Sequence, residues 1–326
     1  MAKERLLFMD LAKFIAIACV CIGHVYAMSS LSNNNSIMNR CIYSFHMPLF
    51  MLLCGFFSGS SLSMSFGNFI KKKAKTLLLP ALSFTLLSCV FITFGGGANL
   101  KARYVNEAIG GMWFLRTVFF CFVIAYAAKQ VKLPDYVCCI LSCLLVMFIP
   151  HGWFLQTNFL LLFFWTGYFL KKYWGNYYCH RGILTIVAAL FYVFLGRIDH
   201  INVITPQVLM TDVALLPMQY LTGLSASLVV IGVASYISTY LKLESNSMMP
   251  TIGRYTLGIY GVQTILLERI AHSLFYIAVP SGWIVVYDFV VIPAIGLFFC
   301  FLSYYVVRMT AKNKTMNFLL YGNMYQ

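Results

Sequence analysis

The first apolar stretch, Leu6 to Met28, carries three ionisable side chains: Asp10, Lys13 and His24. Hydrocarbon tolerates such groups poorly. On insertion scales an Asp or Lys at mid-helix costs about 3 kcal/mol, so in membrane helices these residues face a bundle interior and mark function. At ~100° per residue, the eleven steps from Lys13 to His24 fall within ~20° of three full turns. Asp10, three residues before Lys13, lies within ~60° of it. A cation and an imidazole therefore share one stripe, roughly 16 Å apart at ~1.5 Å per residue. An imidazole is the side chain best suited to moving a proton near neutral pH. Asp10 beside Lys13 forms an ion pair that lowers the cost of both charges, and the same pair can position a ligand.

Further polar residues gather at the depth of His24. The second stretch opens Arg40-Cys-Ile-Tyr-Ser-Phe-His46, and an antiparallel hairpin puts His46 level with His24. His46 either orients His24 or donates to a developing oxyanion; the alternative is a structural histidine bonded to a backbone carbonyl. Gly110-Gly-Met-Trp113-Phe-Leu-Arg116 begins the fourth stretch. A buried Arg116 needs an anion or carbonyl partner, and Glu268 in the ninth stretch is a candidate. That pair is either purely structural or part of a substrate site. Gln263 adds a neutral polar group. Lys71, Lys72 and Lys73 (with Lys75 beyond) stand at the opposite mouth, where they can hold the phosphates of a cofactor or touch anionic membrane lipids.

These residues must be positioned by an all-α polytopic membrane protein. The 326 residues are 61% hydrophobic and only 10% charged, with a mean hydropathy of +0.82, more apolar surface than a soluble domain can hide. The +14 charge does not indicate nucleic acid, because the basic residues lie in short segments between spans. Ten spans are expected, over 6–28, 41–62, 76–94, 110–128, 134–150, 154–170, 182–197, 217–241, 252–272 and 282–308, in a single transmembrane domain. The connections on one side hold 17 of the 23 Lys and Arg residues, which makes that side, with both termini, cytoplasmic. The N-terminal stretch reads as a retained first span and not as a cleaved leader. The eleven cysteines lie mostly within apolar runs and form no C-x-x-C pair, so they read as small core residues and no metal site is expected.

Asp10-Leu-Ala-Lys13 through Gly23-His24 resembles the first-span signature of the membrane-bound acyltransferase 3 family, in particular its fucose 4-O-acetylase-like branch. Phe45-His46-Met47-Pro48-Leu49-Phe50 through Cys54-Gly55-Phe56, then Lys71 to Pro80, continue the resemblance. Weaker matches are Trp113-Phe114-Leu115, Gly167-Tyr168-Phe169-Leu170 and Gly253-Arg254-Tyr255-Thr256-Leu257-Gly258-Ile259-Tyr260. Many members have Arg where this chain has Lys13, which keeps the charge and loses the bidentate fork. Members often carry His where Gln263 stands, so hydrogen bonding replaces proton transfer there.

The resemblance implies a ten-helix bundle with the reaction buried inside it. It implies an acyl-CoA donor, commonly acetyl-CoA, used from the cytoplasm of a bacterial-type inner membrane. The acceptor it implies is a hydroxyl of a cell-surface glycan or its lipid-linked precursor. His24, His46 and Asp10 are then the catalytic group. Lys13, Arg116, Trp113, Tyr260, Gln263, Glu268 and the Lys71–Lys73 run are the donor- or substrate-binding residues. Two rivals stay open: a proton-coupled transporter, since buried Asp, Lys, His, Arg and Glu also serve carriers, and a scaffold whose polar residues only fix helix packing. The sequence carries no sign of an oligomeric state.

Overall fold

The computed structural model describes residues 6–31, 36–95, 99–148, 156–195 and 215–325. Lys3, Arg5 and Arg197 from the charge count, and most of the connection after the seventh span, lie outside them. Among the described residues every regular element is a helix, apart from one bridge between Ser29 and Ile277. In chain order the helices are α1 Leu7–Tyr26, α2 Ile37–Phe56, α3 Phe66–Phe94, α4 Leu100–Gly110 and α5 Trp113–Gln130. Next come α6 Asp135–Met147, α7 Thr157–Lys172, α8 Trp174–Leu195, α9 Leu215–Tyr240 and the short α10 Met248–Gly253. Then α11 begins at Thr256–Gln263 and runs on through Thr264–Ala271 and His272–Leu274, followed by α12 Ser281–Thr310 and α13 Lys314–Tyr321. Among the described residues, seven helical stretches are long and apolar enough to cross a membrane: α1, α2, α3, α4 with α5, α8, α9 and α12. The other expected spans are also helices, the 13-residue α6, the 16-residue α7, and α11. The protein is an integral, polytopic, all-α membrane protein.

Local chemistry explains where the helices begin and bend. α2 starts at Ile37, earlier than the expected 41, because Ser36 caps it by accepting from the Asn39 amide at 2.9 Å. The buried Asp288 carboxylate reinforces that end. It accepts from the Ile37 amide at 3.0 Å and from the hydroxyls of Ser36 (2.5 Å) and Tyr26 (2.7 Å). A carboxylate suits the positive end of a helix. α3 starts at Phe66 and not near 76, because its basic first turns continue straight into the apolar run. A π turn at Ala74–Leu78 lets Pro80 in, since Pro lacks an amide hydrogen and crowds the carbonyl four residues back. A second π turn, Tyr287–Val291, precedes Pro293 in α12 in the same way.

α1 is the axis of the bundle, packed by α2, α9, α10 and α12. α2 and α7 cross in the closest contact. A β-carbon at Gly55 would fall 1.8 Å from the Phe164 carbonyl oxygen, and one at Gly167 would fall 1.9 Å from that of Leu52. Lipid offers no hydrophobic drive between helices, so such backbone approach by small residues is what holds them.

The two ends differ. At one end Lys13 lies over the Phe57 ring at 4.6 Å and Lys171 over Phe56 at 5.1 Å, while Phe8 stacks on Trp174 at 5.7 Å. Lys129 and Lys172 both hold the Asp135 carboxylate at 2.6 Å nearby. This lysine-rich end is opposite the end that carries His24.

Candidate active site

The stripe on α1 is present. Lys13, Ile17, Val20 and His24 follow at helical spacing, with the charged and imidazole ends partly open and the two apolar residues between them buried. Lys13 Nζ donates to Asp10 Oδ1 at 3.0 Å, as expected. Asp10 itself is 5% exposed and stays with the lysine, far along the helix from the imidazole. Its place is at the cation end of the stripe; the expected catalytic grouping of Asp10 with the histidines does not form.

His24 has a different carboxylate. Its Nδ1 lies 3.1 Å from Glu268 Oε1. A carboxylate oxygen only accepts, so Nδ1 carries the hydrogen, and in the neutral ring Nε2 keeps its lone pair. That is the arrangement of an imidazole base oriented by an acid. Glu268 Oε2 in turn lies 3.8 Å from Arg269 Nη2, and the same guanidinium nitrogen bonds the buried Glu107. The sequence offered Glu268 to Arg116 and gave no sign of Glu107 or Arg269.

The backbone of α11 explains how Glu268 arrives. Tyr260, Thr264, Glu268 and His272 follow at intervals of four and all face one cavity. In a regular α-helix each four-residue step advances ~40°, which would swing His272 ~120° away from Tyr260. Thr264–Ala271 is π-helical, with more residues per turn, and the drift is cancelled. Gln263 lies at the entry to this segment. It is buried off the cavity, and its amide donates to the Tyr260 carbonyl at 3.2 Å and Thr264 Oγ1 at 3.1 Å. It lines neither this cavity nor the deeper one beside α1, and its amide bonds tie it to its own helix.

His24 and Glu268 open into a cavity of about 560 Å³ at their end of the bundle, walled also by Trp113, Met47, Glu107 and Arg269. A second, apolar cavity of about 200 Å³ lies deeper, against Ile17 and Val20 of the α1 stripe. Met47 and Tyr260 wall both. Along α1 the larger space thus lies at the imidazole and the smaller one on its lysine-rich side, with one thioether and one phenol ring common to their walls.

The remaining expected residues fall elsewhere. His46 is 6% exposed; its Nδ1 donates to the Ile42 carbonyl at 2.7 Å, and its ring stands edge-on to Tyr43 at 5.1 Å. It lines neither cavity and follows its structural alternative at that nitrogen. Arg116 bonds neither Glu268 nor the cavity. It donates to the Ala108 carbonyl at 2.7 Å and the Ile109 carbonyl at 2.5 Å, and also to that of Gly111. These are the orphan acceptors at the C-terminus of α4, where Met112 turns left-handed (φ 51°) to start α5. Arg116 therefore fastens the roof of the larger cavity. Lys73 is buried with its ammonium 3.3 Å from the Phe122 ring centre, so it is taken out of the expected phosphate-binding run; Lys71 and Lys72 project outward.

The family described as "Acyltransferase domain" matches residues 6–307. Nodulation protein NolL of Mesorhizobium japonicum is 33% identical over 132 residues, covering 37% of this chain and 35% of its own length. Nodulation protein NolL of Sinorhizobium fredii is 32% identical over 133 residues, covering 38% and 36% respectively. The chain thus spans about a third of the length of the curated relatives it matches. No solved structure matches it.

Proposed function

From the premise that this chain belongs to the acyltransferase 3 family, we propose that it is a membrane-bound O-acyltransferase that moves an acyl group from acyl-CoA, most simply acetyl-CoA, to a glycan hydroxyl across the bilayer. The observation that carries this reading is the His24–Glu268 pair at 3.1 Å, standing at the head of two cavities stacked along the α1 stripe. The lysine-rich end faces the cytoplasm of a bacterial-type inner membrane, as the charge bias favours. The pantetheine arm passes Lys13 and occupies the apolar space beside Ile17 and Val20. The ~16 Å rise from Lys13 to His24 suits such an arm. The acceptor, a hydroxyl of a surface glycan or its lipid-linked precursor, enters the larger cavity.

His24 Nε2 takes the proton of the acceptor hydroxyl as its oxygen attacks the thioester carbonyl. The tetrahedral intermediate collapses with loss of the thiolate, which receives the proton from the imidazolium. Glu268 holds the ring in the productive tautomer and stabilises the imidazolium that forms transiently. Water excluded from the apolar cavity protects the thioester before the acceptor arrives.

Purified protein given labelled acetyl-CoA is expected to bind it, release labelled acetate slowly, and label a mixture of envelope glycans. A transporter would show neither cleavage nor glycan labelling, and intact thioester after long incubation with glycan overturns the reading.

A further inference from the structure

The segment after α12 makes a built structure at the lysine-rich end, beyond the 6–307 stretch that carries the family match. Asn313 caps α13, accepting from the Thr315 amide at 2.9 Å and the Met316 amide at 3.1 Å. Past Tyr321 the chain reverses through two left-handed residues, Gly322 (φ 61°) and Asn323 (φ 60°). Gly322 passes so close to α3 that a β-carbon there would lie 2.3 Å from the Lys75 carbonyl oxygen. Tyr325 then locks the turn: its hydroxyl accepts from the Gly258 amide at 3.0 Å, its ring stacks on Tyr255 at 4.5 Å, and the Asn317 side chain bonds its backbone.

This turn touches two spaces at once. Met324 forms a lip of the apolar cavity beneath His24. Its neighbours Asn323 and Tyr325, with Lys312, Lys314, Asn317 and Phe318, wall a separate cavity of about 500 Å³. That volume is within the range of small-ligand sites. Its two lysines are exposed and, among the described residues, neither is in a salt bridge. The ammonium of Lys75 stands 5.5 Å from the ring centre of Phe318, one of the residues that wall the cavity.

We propose that this C-terminal pocket holds the phosphate-bearing nucleotide end of the acyl-CoA donor, with Met324 guiding the pantetheine arm from it into the apolar cavity. The proposal rests on the acyltransferase reading and deepens it. Uncompensated ammonium groups beside aromatic walls suit a phosphorylated nucleotide, and the neighbouring lip leads to the channel that the arm must follow. The lysines of the 71–73 run do not line it.

The test uses the full chain in discs of neutral lipid, with two donors: acetyl-CoA and acetyl-pantetheine, which lacks the nucleotide. The double variant Lys312→Ala/Lys314→Ala is expected to raise KM for acetyl-CoA at least 10-fold with kcat within about twofold, and to leave KM for acetyl-pantetheine unchanged. Lys312→Arg/Lys314→Arg should restore the wild-type KM, which a misfolded tail would not allow. Equal shifts with both donors, or none with either, overturn the proposal. So does an effect seen only when anionic lipid is added to the discs, which would assign the lysines to lipid head groups. A wild-type protein that does not use acetyl-CoA overturns the underlying reading and this inference with it. A competent wild-type with an indifferent double variant overturns this inference alone.

Discussion

His24→Ala is expected to lower acyl transfer by 10²-fold or more, the scale of a lost general base, while the protein inserts and folds as before. The two halves of that expectation have separate grounds. The imidazole lines the larger cavity at the head of the α1 stripe, and in the neutral ring that donates Nδ1–H to Glu268 at 3.1 Å its Nε2 is available to take a proton. Its side chain is 26% exposed and lines an open space, so truncation removes little packing. α1 is held by other faces, against α2, α9, α10 and α12. Labelled transfer from acetyl-CoA, measured beside gel-filtration profiles in detergent, reads both halves. Transfer close to wild type in a well-folded variant would remove His24 from the mechanism.

Glu268→Gln is the second large effect, expected to reduce kcat by about 10²-fold with little change in KM for the donor. Gln is the same size and keeps a polar contact to Nδ1. It removes the charge that stabilises the imidazolium, and its amide can donate to Nδ1 and so impose the wrong tautomer. Asp at this position shortens the reach but keeps the charge, so Glu268→Asp should recover part of the rate. A merely structural carboxylate would give the opposite ranking, because Gln fills the site better than Asp. Parallel losses in KM and kcat, or a Gln variant more active than the Asp variant, would show that Glu268 only packs.

What the sequence revealed and what it hid divide on physical lines. The α1 stripe was legible because it depends on one regular helix and its ~100° period. The Asp10–Lys13 pair was legible because three residues separate its members. The partner of His24 was not, because Glu268 is 244 positions away on a helix whose π segment breaks the regular period. The Arg269–Glu107 pair was hidden for a similar reason, since it joins α11 to α4 across the chain. Arg116 misled because the left-handed turn at Met112 brings three free carbonyls to its guanidinium, and no helix pattern announces that. Lys73 misled because a ring from α5, Phe122, lies beneath its ammonium. His46 stands one turn from the Ile42 carbonyl, and local bonding took its Nδ1.

The central claim is that a thioester supplied from the lysine-rich face reaches an imidazole that serves the opposite face. The most direct measurement uses sealed vesicles in which the protein has one orientation, with envelope glycans on the His24 side and labelled acetyl-CoA added on one side at a time. Label is predicted on the glycans only when the donor is on the lysine-rich side. Labelling that requires donor and glycan in the same compartment would contradict the account.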